Sequence, residues 1–229
     1  RIKGALTKRV LDMIEKIAYE LMSPDQIKTF EANWEMNLSF GVPNVGNFRV
    51  NIFRQRGSTS IVIRFILGNI PPLDELGLPM ILGELIMEKR GLILIVGATG
   101  SGKSTTLASM LDHRNANRSG HILTVEDPIE FLFKHKKSIV NQREIGMDTQ
   151  DWQSALKNAM RQAPDCILIG EIRDKETMQA AISYAQTGHL CVATLHANNS
   201  YHALNRIITL TEDDDGEPVT SCIVALEDG

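Results

Sequence analysis

The apolar residues near the start of the chain recur at the spacing of one helix face. They are Leu6, Val10, Met13, Ile14, Ile17 and Leu21. A repeat of three to four residues is typical of an amphipathic helix, so we predict one here. Ser23 followed by Pro24 is a common way to begin a helix, and we predict a second, shorter helix from that point.

The period then changes from that of a helix to that of a strand. Apolar and polar residues alternate over 48–52, which predicts a half-buried strand. Residues 60–66 predict another strand, with Ile61, Ile63 and Phe65 on one face and Val62, Arg64 and Ile66 on the other. Residues 55–59 carry Arg-Gly-Ser and are interpreted as a hairpin turn between these two strands. Together with the two helices, these strands predict a small α+β domain over residues 1–67.

Beyond this domain, a Gly-Asn-Ile-Pro-Pro segment is interpreted as the beginning of a stiff linker, 68–79. Short apolar runs then alternate with helical segments. Because buried strands that alternate with helices are typical of a parallel sheet covered on both faces, we predict an α/β domain over 80–208. Residues 209–229 break this alternation and carry no assignment, although 219–226 would suit one further strand. The predicted strands are 92–96, 121–125, 166–169 and 190–195, and the predicted helices are 78–89, 104–112, 151–162, 174–186 and 199–208.

Composition narrows the class of protein. Hydrophobic residues make up 43% of the chain and charged residues 23%, which is ordinary for a globular protein. A net charge of -4 does not favour a broad nucleic-acid-binding surface. The chain has no apolar run of roughly 18 residues and no signal peptide, so we expect a cytoplasmic protein. Its 3 cysteines lack metal-site spacing, and Cys166 and Cys191, inside apolar runs, are expected to pack in the core.

A glycine-rich segment between a predicted strand and a predicted helix carries the first candidate chemistry. The sequence GATGSGKS at 97–104 matches the Walker A pattern G-x-x-x-x-G-K-[ST]. Its glycines allow backbone N–H groups to surround phosphate oxygens, while Lys103 reaches the β- and γ-phosphates and the Ser104 hydroxyl binds Mg²⁺. The candidate nucleotide-binding residues are Gly97, Ala98, Thr99, Gly100, Ser101, Gly102, Lys103, Ser104 and Thr105.

Acidic residues follow two of the predicted strands. Glu126, Asp127 and Glu130 come after one strand, and Glu171 comes after the next. The carboxyl ends of parallel strands face the ligand crevice, where carboxylates hold Mg²⁺ or polarise an attacking water. The alternative is that these residues cap helices or face solvent, and two such clusters after a P-loop make that alternative weaker.

Basic residues supply further candidates. His196 ends the last predicted strand and could sense the γ-phosphate, the alternative being a structural histidine. Arg49 and Arg64, on strands of the first domain, are candidate arginine fingers, which stabilise transition-state charge from outside the P-loop domain. Arg54 and Arg56 are weaker candidates. Arg173 competes with them from within the core, and the alternative for all of them is that they solvate a surface.

Four segments together resemble the secretion ATPase superfamily, and most nearly the type IV pilus retraction ATPases (PilT/PilU-like). GATGSGKS, TVEDPIEF, ILIGEIRD and GHLCVATLHANN occur in the order of that family's Walker A motif, Asp box, atypical Walker B motif and His box. GNFRVNIFRQRG at 46–57 resembles the family's PAS-like N-terminal domain. The resemblance covers roughly residues 6–208, and the family's helical C-terminal region is not recognised in 209–229.

The resemblance implies a fold, an activity and partners. The fold would be a RecA-like P-loop NTPase core with a parallel sheet, preceded by the small PAS-like domain. The activity would be ATP hydrolysis that powers retraction of type IV pili in twitching motility. The protein would form a homo-hexameric ring with ATP at the subunit interfaces, in the cytoplasm. It would be peripheral to the inner membrane through a platform protein, with a paralogous retraction ATPase as a further candidate partner.

The resemblance also implies roles for single residues. Glu130 would be the catalytic glutamate, Glu171 the Walker B carboxylate and His196 the His-box residue. Arg49 and Arg64 would act from a neighbouring domain. Mg²⁺ would be held, partly through water, by Ser104, Glu126, Asp127 and Glu171.

Other classes of protein compete with this interpretation. An assembly ATPase for pilus extension or type II secretion usually carries a four-cysteine zinc site, which the sequence lacks. A GTPase would carry an Asn-Lys-x-Asp motif and an ABC transporter ATPase a Leu-Ser-Gly-Gly-Gln signature, and neither occurs. A non-catalytic, nucleotide-dependent scaffold stays open until turnover is measured.

Overall fold

The computed structural model describes residues 8–42, 45–66 and 69–197, together with positions 202, 205, 207, 209 and 210. The chain divides into two compact units, Arg1–Gly68 and Asn69–Gly229. No helix in the described ranges is long and apolar enough to span a lipid bilayer. Of the helix predicted at 199–208, positions 202, 205 and 207 are helical, and the strand suggested at 219–226 lies outside the described residues.

The smaller unit packs two helices against an antiparallel sheet. Both predicted helices and both predicted strands are confirmed. The elements are α1 (Lys8–Leu21), α2 (Pro24–Asn33), β1 (Glu35–Val42), β2 (Gly46–Gln55) and β3 (Ser58–Ile66). The strands lie side by side in the order β1-β2-β3. β1 was not predicted, although Met36, Leu38 and Phe40 alternate with polar residues along it.

Local side-chain contacts explain how this unit is assembled. Ser23 caps α2, since its hydroxyl accepts from the Gln26 N–H and its own N–H donates to the Gln26 side chain. Val50 and Ile52, with no exposed surface, lie in the core between the sheet and the helices. The hairpin turn is confirmed at Arg56 and Gly57, both at positive φ.

Arg54 serves this small core. Its Nη1 atom donates to Glu15 Oε1 over 3.0 Å and to Thr59 Oγ1 over 2.9 Å. Its guanidinium lies 5.3 Å from the centre of the Phe30 ring. These contacts join α1, α2 and the sheet, so the weaker prediction of Arg54 as an arginine finger is not supported.

The larger unit is built on a parallel sheet. The strands are β4 (Gly91–Gly97), β5 (Gly120–Glu126), β6 (Ser138–Glu144), β7 (Cys166–Ile172) and β8 (Leu190–His196). Within the described residues they lie in the order β4-β8-β7-β5-β6, and each neighbouring pair is parallel. The predicted parallel α/β architecture is therefore confirmed. The helices are α3 (Ile81–Leu85), α4 (Lys103–Asn117), α5 (Trp152–Ala159) and α6 (Lys175–Gln186).

Alternate residues of these strands enter two different cores. On β4, Leu92 and Leu94 face a core shared with α5 and α6, while Ile93 and Ile95 face a core shared with α3 and α4. Because helices cover both faces of the sheet, residues on both sides of each strand are buried. The strands are therefore continuous apolar runs and lack the alternating pattern of a half-exposed strand. All strands end at the same edge of the sheet, and the loops that leave this edge form the candidate site.

One prediction for this unit was wrong, and one strand was missed. The helix predicted at 78–89 is restricted to α3, because Arg114 of α4 takes the carbonyl groups that follow it. Its Nη1 atom donates to Ile86 O over 2.5 Å and to Glu88 O over 2.8 Å. The strand β6 was missed because it lies at the sheet edge and alternates buried with exposed or polar positions.

Two of the cysteines and part of the predicted linker pack in the described cores. Cys166 and Cys191 are fully buried free thiols, as predicted, and lie in the two different cores. Burial raises the pKa of the Cys166 thiol to about 12. In the segment predicted as a linker, Leu73 and Leu78 pack against the core formed with α3 and α4.

Candidate nucleotide-binding site

The glycine-rich loop connects the end of β4 to the first residue of α4. Gly100 and Gly102 adopt φ values of 84° and 92°, which favour glycine because it lacks a Cβ atom. The loop and the N-terminus of α4 line a cleft, and a helix N-terminus at a cleft is a common arrangement for binding phosphate. Lys103 is 8% exposed, and its Nζ atom donates to Gly97 O over 3.0 Å and to Ala98 O over 2.7 Å.

The cleft in front of this loop brings together residues that are far apart in the sequence. Its walls come from the P-loop and the start of α4, from the end of β5 and the loop that follows it, and from residues near the ends of β7 and β8. Apolar side chains from Leu107, Phe131, Phe133 and Leu168 complete it. The predicted site residues that line it are Thr99, Gly100, Lys103, Ser104, Glu126, Asp127, Glu130, Glu171 and His196.

A bulge near the end of β7 directs Glu171 into the cleft. From Ile169 to Ile172 the chain advances three residues, while the paired segment of β8 advances two. The extra residue falls at Gly170 and Glu171, and Thr194 of β8 secures it by donating its hydroxyl to Gly170 O over 2.5 Å. Bulges commonly re-aim one side chain of a strand. Sequence alternation alone could not have predicted this one.

Charged side chains connect the strand ends across the cleft. His196 Nδ1 lies 3.4 Å from Lys103 Nζ, and His196 Nε2 lies 3.4 Å from Glu171 Oε1. An ammonium group can only donate, so Nδ1 accepts and the imidazole proton belongs on Nε2, facing the carboxylate. On the other side of Glu171, Arg173 Nε donates to Oε2 over 2.8 Å and its Nη1 donates to Asp127 Oδ2 over 3.3 Å.

Glu126 differs from the other carboxylates of the cleft because it is buried. It is 8% exposed, and Oε1 accepts from Thr124 Oγ1 over 2.6 Å and from Gln142 Nε2 over 3.2 Å. Burial raises the pKa of the Glu126 carboxyl to about 7, although these hydrogen bonds oppose the shift. A Cβ atom at Gly170 would lie 3.1 Å from Glu126 Cα, a tighter contact than most Cβ atoms make, so the two strands approach each other closely at this glycine.

Two residues of β6 hold the loop that carries Glu130, and the sequence analysis missed both. Gln142 Nε2 donates to Phe131 O over 2.8 Å, and Gln142 Oε1 accepts from Phe133 N over 2.9 Å. Glu144 Oε2 accepts from Ile129 N over 3.0 Å. Glu130 itself is exposed on this loop. These two residues could have been found only by predicting β6, because the position of this strand beside β5 brings their side chains to the loop.

Arg49 and Arg64 are register partners on β2 and β3. Arg49 is partly buried and Arg64 is exposed. They belong to the smaller unit, and their role as arginine fingers stays a prediction.

The strand–loop–helix arrangement of the P-loop, with acidic loops at the ends of neighbouring parallel strands, defines a nucleotide-binding protein with a RecA-like core. Residues 7–225 match the family model described as Type II/IV secretion system protein, and the chain belongs to this family.

Proteins similar to this chain include ATPases of type IV pili. The chain is 53% identical over 188 residues to the type IV pilus ATPase PilU of Pseudomonas aeruginosa, covering 82% of this chain and 49% of that protein. It is 44% identical over 195 residues to the type IV pilus retraction ATPase PilT of the same organism, covering 85% of this chain and 57% of that protein. A crystal structure of the pilus retraction motor PilT with bound ADP matches with a TM-score of 0.84 and 49% identity. That match covers 88% of this chain and 59% of the motor. The chain thus spans about half the length of these relatives.

Proposed function

We propose that this chain forms the ATP-hydrolysing part of a motor that retracts type IV pili. The observation that carries the proposal is the convergence of Lys103, Glu171 and His196 on the P-loop cleft, at distances of 3.4 Å between successive side chains. Similarity to PilU and PilT supports the pilus as the object of the motor. ATP is the proposed substrate, and the chain does not act on nucleic acid.

The proposed roles of the cleft residues concern the phosphates of the nucleotide. The N–H groups of the P-loop and Lys103 bind the β- and γ-phosphates, as in other proteins with this loop. The oxygen of a water molecule bonds to the γ-phosphorus while the bond to the β–γ bridging oxygen breaks, and ADP leaves. Glu130, exposed on the loop after β5, accepts the proton of that water. His196 contacts Lys103 and Glu171, so it is placed to respond to the γ-phosphate.

The donor atoms around the cleft fit a Mg²⁺ ion bound together with the nucleotide. Ser104, Asp127 and Glu171 contribute oxygen atoms to the cleft wall, and Mg²⁺ prefers oxygen ligands. In the part of the chain that the structure describes, no group of three or more His, Cys, Asp or Glu residues could form a metal site by itself. That fits an ion held by one or two carboxylates and by the phosphates, whose charge it would neutralise. Glu126 is engaged by Thr124 and Gln142 and suits this role less well.

A ring of subunits would complete the site. Arg49 and Arg64 lie opposite each other on neighbouring strands, so they form one pair of positive charges. We infer that this pair acts on the nucleotide of an adjacent subunit in a homo-hexamer. The proposed partners beyond the ring are an inner-membrane platform protein and a paralogous retraction ATPase, which would hold the motor at the cytoplasmic face of the membrane.

An assembly ATPase for pilus extension or type II secretion is the alternative within the family, and a nucleotide-dependent scaffold is the alternative outside it. Glu130→Gln and Glu171→Gln separate the scaffold from the enzyme. Both variants should bind ATP, while the turnover number falls by about 10²–10⁴-fold. Glu88→Gln, at an exposed position outside the cleft, is the matched control.

Retraction is tested in a type IV piliated strain that lacks its own retraction ATPase. The intact protein should restore twitching and the two cleft variants should not. Surface pili that increase in number without twitching would favour the assembly ATPase. ATP binding with no turnover in the parent protein would favour the scaffold.

A further inference from the structure

Arg173 joins the two acidic loops of the cleft. It is the first residue after β7, and its Nε atom donates to Glu171 Oε2 over 2.8 Å. Its Nη1 atom donates to Asp127 Oδ2 over 3.3 Å. Glu171 lies on β7 and Asp127 follows β5, and these strands are neighbours in the sheet. The guanidinium therefore cross-links two carboxylates that come from different strand ends.

The contacts of Glu171 are divided between its two carboxylate oxygens. Oε2 accepts from Arg173, and Oε1 lies 3.4 Å from His196 Nε2. A partner on each oxygen restricts rotation of the carboxylate about its last side-chain bond. The bulge turns the Glu171 side chain into the cleft, and these two partners then fix the rotation of its carboxylate.

The contacts of Arg173 are better explained by the orientation of the Glu171 carboxylate than by a contribution to the stability of the fold. The side chains of Arg173 and Asp127 are 50% and 33% exposed, and ion pairs in contact with water contribute little to folding because solvent screens them. A planar guanidinium donates in fixed, separate directions and can hold two carboxylates at once. A lysine ammonium is a compact point charge without this geometry.

We propose that Arg173 is a positioning residue that orients the Glu171 carboxylate toward the divalent cation of a bound nucleotide. It acts through Glu171 and does not touch the nucleotide. The proposal rests on one part of the proposed function, namely that the cleft binds nucleotide with Mg²⁺, and it does not require hydrolysis. Removing an outer partner of this kind lowers metal affinity or activity by about 10–100-fold.

The test measures binding of a fluorescent ADP analogue in EDTA and in Mg²⁺, so that no turnover is needed. The intact protein is compared with Arg173→Gln, Arg173→Lys and the control Arg161→Gln, whose arginine is exposed on the turn after α5. We expect Arg173→Gln to bind the analogue normally in EDTA and to lose about 10-fold of the affinity gained on adding Mg²⁺. Arg173→Lys should recover part of this gain, and Arg161→Gln should match the parent.

Four results of the binding test would overturn the proposal. A parental gain from Mg²⁺ in Arg173→Gln shows that the arginine does not orient Glu171, and a larger gain shows that it competes with the cation. Weaker binding in EDTA places Arg173 against the nucleotide itself, and a lower melting temperature that accounts for the loss shows a structural role. Turnover is measured in parallel. A parent that binds Mg²⁺ and ADP without hydrolysing ATP contradicts the proposed enzyme and leaves the result for Arg173 standing, whereas a parent that binds no nucleotide overturns both.

Discussion

Lys103 Nζ lies 3.4 Å from His196 Nδ1, although the two residues are separated by 93 positions in the sequence. The contact connects the first residue of α4 with the last residue of β8, and the order β4-β8 within the sheet makes it possible. His196 in turn lies 3.4 Å from Glu171. The His196 imidazole therefore links Lys103 to Glu171, so a change in the charge around Lys103 can affect the Glu171 carboxylate.

Lys103→Ala should weaken nucleotide binding. The side chain supplies a charge-assisted hydrogen bond to phosphate, and loss of such a bond lowers affinity by about 10–100-fold. Binding of a fluorescent ADP analogue to the purified variant measures the effect. Lys157→Ala, which removes an exposed lysine on α5, is the control. Parental affinity in a correctly folded Lys103→Ala protein would contradict the assignment of the P-loop.

Glu126→Gln should change how stability depends on pH. The pKa of Glu126 is about 7 in the folded protein against 4.5 for a free carboxyl. Between these values the folded state binds a proton that the unfolded state releases, so the parent loses stability as pH rises through this window. The variant cannot lose that proton, and its stability relative to the parent should rise by up to about 3 kcal/mol.

Urea unfolding at pH 5 and pH 8, in EDTA and without nucleotide, tests this expectation. Glu88→Gln replaces an exposed carboxyl and is the control. A difference between Glu126→Gln and the parent that stays constant with pH would show that Glu126 is ionised in the folded protein throughout this range.

Gln142→Ala should disturb the loop that carries Glu130. The substitution removes the bonds to Phe131 O and Phe133 N and leaves two backbone groups without this partner. We expect the free energy of unfolding to fall by about 1–3 kcal/mol. The turnover number should fall further than that of Gln153→Ala, which alters an exposed glutamine on α5. Unchanged turnover in Gln142→Ala would mean that the loop keeps its position without the hydrogen bonds from Gln142.

Arg49 and Arg64 should act on the nucleotide of a neighbouring subunit. An arginine supplied from another subunit contributes about 10³-fold or more in rate. Glu130→Gln and the double variant Arg49→Ala, Arg64→Ala should each be inactive alone, and activity should partly return when they are mixed in one ring. Mixed oligomers that stay inactive argue against action between subunits. Full activity in the arginine variant alone would show that the arginines only solvate a strand face.

The sequence by itself determined the class of site and most of the fold. A P-loop is a local structure, because its glycines allow the backbone conformation and its lysine and serine follow at fixed spacing. Continuous apolar runs predicted β4, β5, β7 and β8, since both faces of a parallel sheet are covered. Acidic residues after two of these strands then had to lie at one edge, which predicted the cleft before any contact was known.

Tertiary structure decided how the site is completed. The bulge that turns Glu171 into the cleft depends on the pairing of β7 with β8. The hydrogen bond from Gln142 to the buried Glu126 carboxyl depends on the position of β6 beside β5. The sequence gives no means of distinguishing Arg54 from Arg173, since arginine is usually exposed. In the structure Arg54 binds Glu15 and Thr59 beside a small core, whereas Arg173 joins Glu171 to Asp127. Periodicity and motifs record which residues share a face of one element. Which side chains from different elements meet is set by strand order and register, and those arise only when the chain packs.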